Sequence, residues 1–171
     1  MNADRIHRTC LLLTKSILSL SLGLFGIVVS FDNVVDYDLN WQFVRHVLSL
    51  DSMEPFFNSP AIQQRAITDV LSQKIAYGLI IAGECLFGVL CAFGGLLMLL
   101  GLFKTDRPYP TYGKILTTLG CLLAILIWYT GFAVMGGEYF SMWANTWNGQ
   151  MKAYTFSGFI LLSLLFISQK D

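Results

Sequence analysis

Hydrophobic positions in this chain do not alternate with polar ones. They run in four long blocks, at about 10–31, 75–103, 115–137 and 152–168, divided by polar stretches. A helix that crosses the hydrocarbon core of a bilayer needs about 20 mostly apolar residues. The first three blocks meet that length, and the fourth is short but free of charge from Ala153 to Ile167. The pattern predicts an all-α polytopic membrane protein, a bundle of four transmembrane helices that uses residues 1–171 as a single domain. Membrane-spanning β-strands would alternate lipid-facing and lumen-facing residues, which continuous apolar blocks do not.

The polar stretches also carry pattern. In the long loop 32–74, Phe43, Val44, Val47 and Leu48 recur at helical spacing with Gln42, Arg45, His46 and Ser49 opposite. This predicts a short amphipathic helix over Asn40 to Leu50, lying at the membrane surface with Trp41 at the interface. Ser59-Pro60 is an N-cap followed by proline at the first helical position, so a helix from Pro60 is expected to lead directly into the second span. Two prolines in Asp106-Arg107-Pro108-Tyr109-Pro110 keep the second and third helices apart.

Composition agrees with this reading. Of 171 residues, 55% are hydrophobic and 13% charged, about half the roughly 25% charged fraction of a soluble domain. Eleven basic residues balance eleven acidic ones, which leaves no excess charge for nucleic-acid binding. Arg5, Arg8, Lys15, Lys104, Arg107, Lys114 and Lys170 fall on one side of a four-span arrangement. Arg45, Arg65, Lys74 and Lys152 fall on the other, diluted by Asp32, Asp36, Asp38, Asp51, Glu54, Asp69 and Glu138. The basic bias places both termini in the cytoplasm. Arg5 and Arg8 ahead of an apolar stretch also fit a secretory signal peptide, but the stretch is long and no A-x-A site follows, so an uncleaved anchor is expected.

Small residues mark the packing faces. Ser16, Ser19, Gly23, Gly26 and Ser30 lie along one side of the first span; Gly78, Ala82, Cys85 and Ala92, with Gly88 and Gly95 beside them, repeat the device in the second; Gly120, Ala124 and Gly131 do so in the third. Three such stripes predict a left-handed bundle with close backbone contacts. Cys10, Cys85, Cys91 and Cys121 are read as packing residues, since no pair has zinc-site spacing. No metal or cofactor is expected.

Glu84 is the acid inside an apolar span. An ionised carboxylate there is expensive unless it faces the bundle interior, is protonated, or has a partner. Its helical neighbours Gly88, Cys91 and Gly95 place it beside a helix contact, and Arg45 or His46 are its candidate partners from the outer helix. Lys15 lies toward the other side and should snorkel to the cytoplasm. Glu84 is then either a buried residue that fixes helix pairing or a proton or ligand site. Gly136-Gly137-Glu138-Tyr139-Phe140-Ser141-Met142-Trp143 and Trp147-Asn148-Gly149-Gln150 form a third outer element. It is read as an aromatic interface belt, or as the wall of a polar pocket built from Glu138, Trp143, Trp147, Asn148 and Gln150. The histidines, His7 and His46, are predicted on opposite sides, which disfavours a bis-histidine haem. There is no Walker loop, G-x-S-x-G or H-E-x-x-H pattern, which weakens an enzyme reading without eliminating it.

The segments Phe43-Val44-Arg45-His46-Val47-Leu48-Ser49-Leu50-Asp51, Gly83-Glu84, Gly136 to Trp143 and Trp147 to Gln150 resemble a bacterial family of predicted small integral membrane proteins of unknown function. The resemblance covers nearly the whole chain, with mild departures at Leu50, where Met is frequent, and Tyr139, where Trp is frequent. It implies a four-helix protein of the bacterial inner membrane and brings no activity, substrate or catalytic residue. Three functions remain open: a non-catalytic accessory module that associates with itself or a larger complex; an oligomeric transporter or proton-conducting element using Glu84; and a lipid- or quinone-binding subunit with Arg45, His46, Glu138 and the outer tryptophans around a headgroup.

Overall fold

A computed structural model describes residues 2–104 and 107–170; Asp106 of the expected turn lies outside the described residues. The helices are α1 (Ala3–Val35), α2 (Tyr37–Ser49), the single turn α3 (Pro60–Gln63), α4 (Val70–Phe103), α5 (Tyr109–Tyr139) and α6 (Gln150–Ser168). No strand occurs among the described residues; Met53 and Asn145 form one isolated antiparallel bridge. Four helices, α1, α4, α5 and α6, are long and apolar enough to cross a membrane.

Every span is longer than its apolar block. α1 begins at an Asn2 cap, whose side chain accepts from the Asp4 amide, and continues through Asp32 and Asn33. Helical hydrogen bonding does not end where the apolar residues do, so a block boundary under-reads a helix that projects past the hydrocarbon. The expected continuity from Pro60 into the second span is corrected. Ser59 does cap α3, accepting from the Ile62 amide, but α3 stops after one turn. A new N-cap, Asp69, starts α4 by accepting from both the amide and the hydroxyl of Ser72, at 2.8 and 2.7 Å. These bonds, the hydroxyl's first, hold the Asp69 carboxyl below the usual carboxylate range.

The four spans alternate in direction. Lys15 of α1 and Lys114 of α5 both donate to the Gln169 carbonyl at the end of α6, at 2.6 and 3.4 Å, so these segments share one end of the bundle. At the other end α2, the 50–69 segment and the 140–149 segment form a cap. Its seams are Glu54 amide to Ala144 carbonyl, Thr146 amide to Ser52 carbonyl, and Arg65 guanidinium to Tyr139 carbonyl. Lys15 is fully buried, which corrects the expected snorkelling: its ammonium is satisfied by a carbonyl at a helix end, where the dipole also favours a cation.

α4 is the central helix, packed on α1 through one face and on α5 through another. A Cβ on Gly23 would lie 2.5 Å from the Ala92 nitrogen, and one on Gly88 would lie 2.6 Å from the Ile27 nitrogen. These are near-contacts of backbone on backbone, as small-residue packing requires. The predicted face of α1 is buried throughout. The predicted faces of α4 and α5 need correction. Gly78, Ala82 and Cys85 are exposed and a Cβ on Gly78 would meet nothing within 4 Å, because spacing identifies a small-residue face without saying what it contacts. Cys10 and Cys85 are exposed while Cys91 and Cys121 are buried, so only the second pair packs the core. Gly131 also faces outward. From Ile125 to Tyr139 α5 winds as a π-helix, closed by Phe140 amide to Met135 carbonyl. The wider turn advances less per residue and rotates Gly131 away from the face that Gly120 and Ala124 share.

At mid-bundle each span contributes an aromatic ring. Trp128 of α5 lies with its ring centroid 5.4 Å from Phe25 of α1, 5.6 Å from Phe87 of α4 and 5.6 Å from Phe156 of α6. This layer separates the close-packed terminal half from the capped half.

Candidate functional site

Glu84 lies three residues from Phe87, one turn toward the capped end. At about 1.5 Å per residue it is roughly 21 Å along α4 from Val70. It is 2% exposed, as expected for an acid turned into the bundle. Its partner is not Arg45 or His46 but Asn33 of α1, whose amide donates to Oε2 at 2.7 Å. Tyr77, two turns back on the same face of α4, donates its hydroxyl to the Asn33 carbonyl at 3.0 Å and lies 3.3 Å from Oδ1. Asn33 is thus held from one side and reads Glu84 with the other. Its position was signalled in the chain: the spacing 26, 30, 33 continues the small-residue face of α1 by one turn. It was missed because the apolar block ended at Phe31.

Arg45 is exposed and makes a long contact, 3.4 Å, with Gln42 of its own helix. It reaches neither Glu84 nor an acid. His46 instead approaches Asp51 at 2.7 Å and stacks on Trp147, with centroids 5.0 Å apart and planes 13° apart. Glu138 accepts from Gln150 at 3.0 Å. Asn148 joins Trp143 to Gln150 by donating to the Trp143 carbonyl and accepting from the Gln150 amide, and Trp143 meets Phe57 edge to face. These residues knit the cap; they do not converge with Glu84. α2 spans Tyr37–Ser49, slightly longer than expected, and buries the predicted Val44 and Val47. Trp41 is corrected from an interface anchor to a buried residue, packed beside Tyr77 under the Lys74 ammonium.

α2 roofs two cavities that share Phe43, Val44, Ile80 and Phe132 as a common wall. One, of about 380 Å³, is bounded by α2, the start of α4 and the π-helical half of α5, and its lining, which includes Leu79, Ile127 and Met135, is apolar. The other, of about 240 Å³, has the central aromatic layer at its floor and Asn33, Asn40, Tyr77, Glu84 and Lys152 among its lining. The arrangement suits a molecule with an apolar part and a small polar part. It offers no nucleophile paired with a base, and the described residues hold no cluster of three or more His, Cys, Asp or Glu side chains.

Comparison with known protein families gives one result. The chain belongs to the family of predicted small integral membrane proteins (DUF2165), whose sequence profile matches residues 11–170. No match was found among curated proteins or among solved structures.

Proposed function

We propose that this integral membrane protein is a non-catalytic accessory module of a bacterial inner membrane, with cytoplasmic termini, that holds a lipid-like amphiphile beneath its outer cap. The observation that carries this reading is the pair of adjoining cavities under α2, one apolar and one with a polar lining. Ligand sites combine mostly apolar walls with a few placed polar groups. The basic residues near the terminal end support the orientation. A proton path finds less support, because Glu84 faces a cavity above an aromatic layer and the chain places no acid in the apolar stretches on the terminal side of that layer, residues 10–24, 88–103, 115–127 and 157–168. Native mass spectrometry of the protein extracted in mild detergent tests the reading. The wild type should retain an amphiphile, and Ala76→Trp, which fills the apolar cavity, should lose it. An adduct-free wild type would refute the proposal, and the mass and absorbance of an adduct separate a phospholipid from a quinone.

The exposed face of Gly78, Ala82 and Cys85 supports a second reading, self-association or attachment to a larger complex through α4, since small residues let helices approach closely in lipid. Oxidation in native membranes should then yield a disulfide-linked dimer that Cys85→Ser abolishes. A monomer throughout would exclude α4 as the face between copies.

A further inference from the structure

We propose that the smaller cavity is a binding site for an organic ammonium group, with Glu84 as its counter-ion. The inference rests on the cavity reading above and names the chemistry of the polar part. Glu84 is buried and lines the cavity, yet among the described residues its carboxylate makes one hydrogen bond, from Asn33 to Oε2. Oε1 has no partner there, and no Lys, Arg or His pairs with the group. Oε1 is also not sealed off, for the only fully buried side-chain oxygen or nitrogen without a partner among the described residues is Gln73 Oε1. A carboxylate at this depth calls for a cation, and the cavity is where one would sit.

The walls select the kind of cation. Phe43, Tyr77, Trp128, Phe132 and Phe156 line the space around Glu84. Aromatic faces attract ammonium groups through their quadrupole and tolerate the methyl groups of a substituted ammonium, the combination used to recognise quaternary ammonium ligands. Besides Glu84, the side-chain oxygens in the lining are those of Asn33, Asn40 and Tyr77, short of the roughly 6–8 oxygen ligands that a calcium ion takes. A volume of about 240 Å³ lies just below the roughly 300–1,000 Å³ of pockets for drug-sized ligands, which suits a headgroup-sized ammonium.

Lys152, at the start of α6, contributes to the same cavity and is exposed with no acidic partner among the described residues. A dication entering past it would be repelled. An ammonium that carries an anionic group would be met at both ends, by Glu84 within and Lys152 outside. The favoured ligand is therefore a zwitterionic ammonium. Two sources supply it: the headgroup of an aminophospholipid, or a free betaine-type solute.

The test uses full-length protein in dodecyl maltoside and in nanodiscs. In detergent, glycine betaine is titrated against 3,3-dimethylbutyrate, and choline against 3,3-dimethylbutanol, each second compound replacing the ammonium nitrogen by carbon and so removing its positive charge. The wild type should prefer each ammonium compound at least tenfold, and Glu84→Gln should remove the preference. That variant keeps the acceptor for Asn33, and an unchanged melting temperature confirms that it is folded. Lys152→Met should weaken betaine while leaving choline unchanged or tighter. In nanodiscs, retention of phosphatidylethanolamine over phosphatidylglycerol, again dependent on Glu84, identifies the lipid as the source when the solutes fail. Equal affinity for ammonium and carbon analogues together with no headgroup preference, or a preference that survives Glu84→Gln, overturns the proposal. Retention of a neutral amphiphile independent of Glu84 would overturn it while leaving the cavity reading intact. Glu84-dependent betaine binding with no retained amphiphile would uphold it while removing that reading.

Discussion

The two halves of α4 do different things with the same residue types. In the terminal half, Gly88, Ala92, Gly94 and Gly95 bring the helix against the backbones of α1 and α5. In the capped half, a Cβ on Gly78 would meet nothing within 4 Å and one on Gly83 only the Ile127 side chain. Small residues close a gap between helices only where a second backbone is there to receive them. Where the helices stand apart, the space is filled by aromatic rings, by the roof of α2 and by cavities. The terminal half is therefore the stable base, and the capped half is where a ligand can be admitted without unpacking the bundle.

The largest test of this division lies at the boundary. Trp128→Ala removes the ring shared by all four spans and should cost about 3–5 kcal/mol, measured by reversible unfolding in mixed micelles. A loss below about 1 kcal/mol would show that the layer does not hold the halves together. Next, Gly23→Leu should cost about 1–3 kcal/mol or more, because the added side chain collides with α4 backbone that cannot give way. Gly78→Leu should change monomer stability by no more than about 0.5 kcal/mol. Equal costs at the two glycines would erase the comparison. Within the capped half, Asn33→Ala leaves the buried Glu84 without its donor and should cost roughly 1–3 kcal/mol, while Glu84→Gln should cost less than Asn33→Ala in the same unfolding assay.

The smallest effect is at the cap's edge. The Asp69 carboxyl is held below its usual range by the Ser72 hydroxyl and amide. A group whose folded value is depressed stabilises fully above its unfolded value, about 3.9 for Asp, and loses that contribution as pH falls through the depressed folded value. Amide protection in the first turn of α4, corrected for intrinsic exchange, should fall in that acidic range in the wild type. Asp69→Asn keeps a capping oxygen and should abolish the dependence; an identical acid profile in both proteins would contradict the cap.

The four spans, the amphipathic α2 and the inward turn of Glu84 were legible because each follows from burial of apolar surface or avoidance of buried charge, which a one-dimensional pattern records. The contact face of α1 was legible for the same reason. What was not legible depends on partners. Gly78 and Gly88 look alike in sequence, and only the presence of Gly26 opposite one of them distinguishes their roles. Arg45 was matched to Glu84 by charge, whereas Asn33 holds the position by being on the neighbouring helix at the right height. The π-helical winding after Ala124, which turns Gly131 outward, has no periodic signature among continuously apolar residues. Trp41 and Lys15 were assigned to the interface from residue type, and both are buried, Trp41 because α2 packs it against Tyr77 of α4 and Lys15 because the end of α6 closes over it.

Accessibility at position 84 tests the central claim most directly. In a background with all four cysteines replaced, Glu84→Cys and Ser19→Cys, the latter at a fully buried position of the terminal half, would be exposed to a membrane-impermeant cationic thiosulfonate from each side of sealed vesicles. Rapid modification is expected at 84 from the capped side, none from the terminal side, and none at 19 from either. Modification at 84 only from the terminal side, or no difference between 84 and 19, would contradict a site that opens beneath the cap.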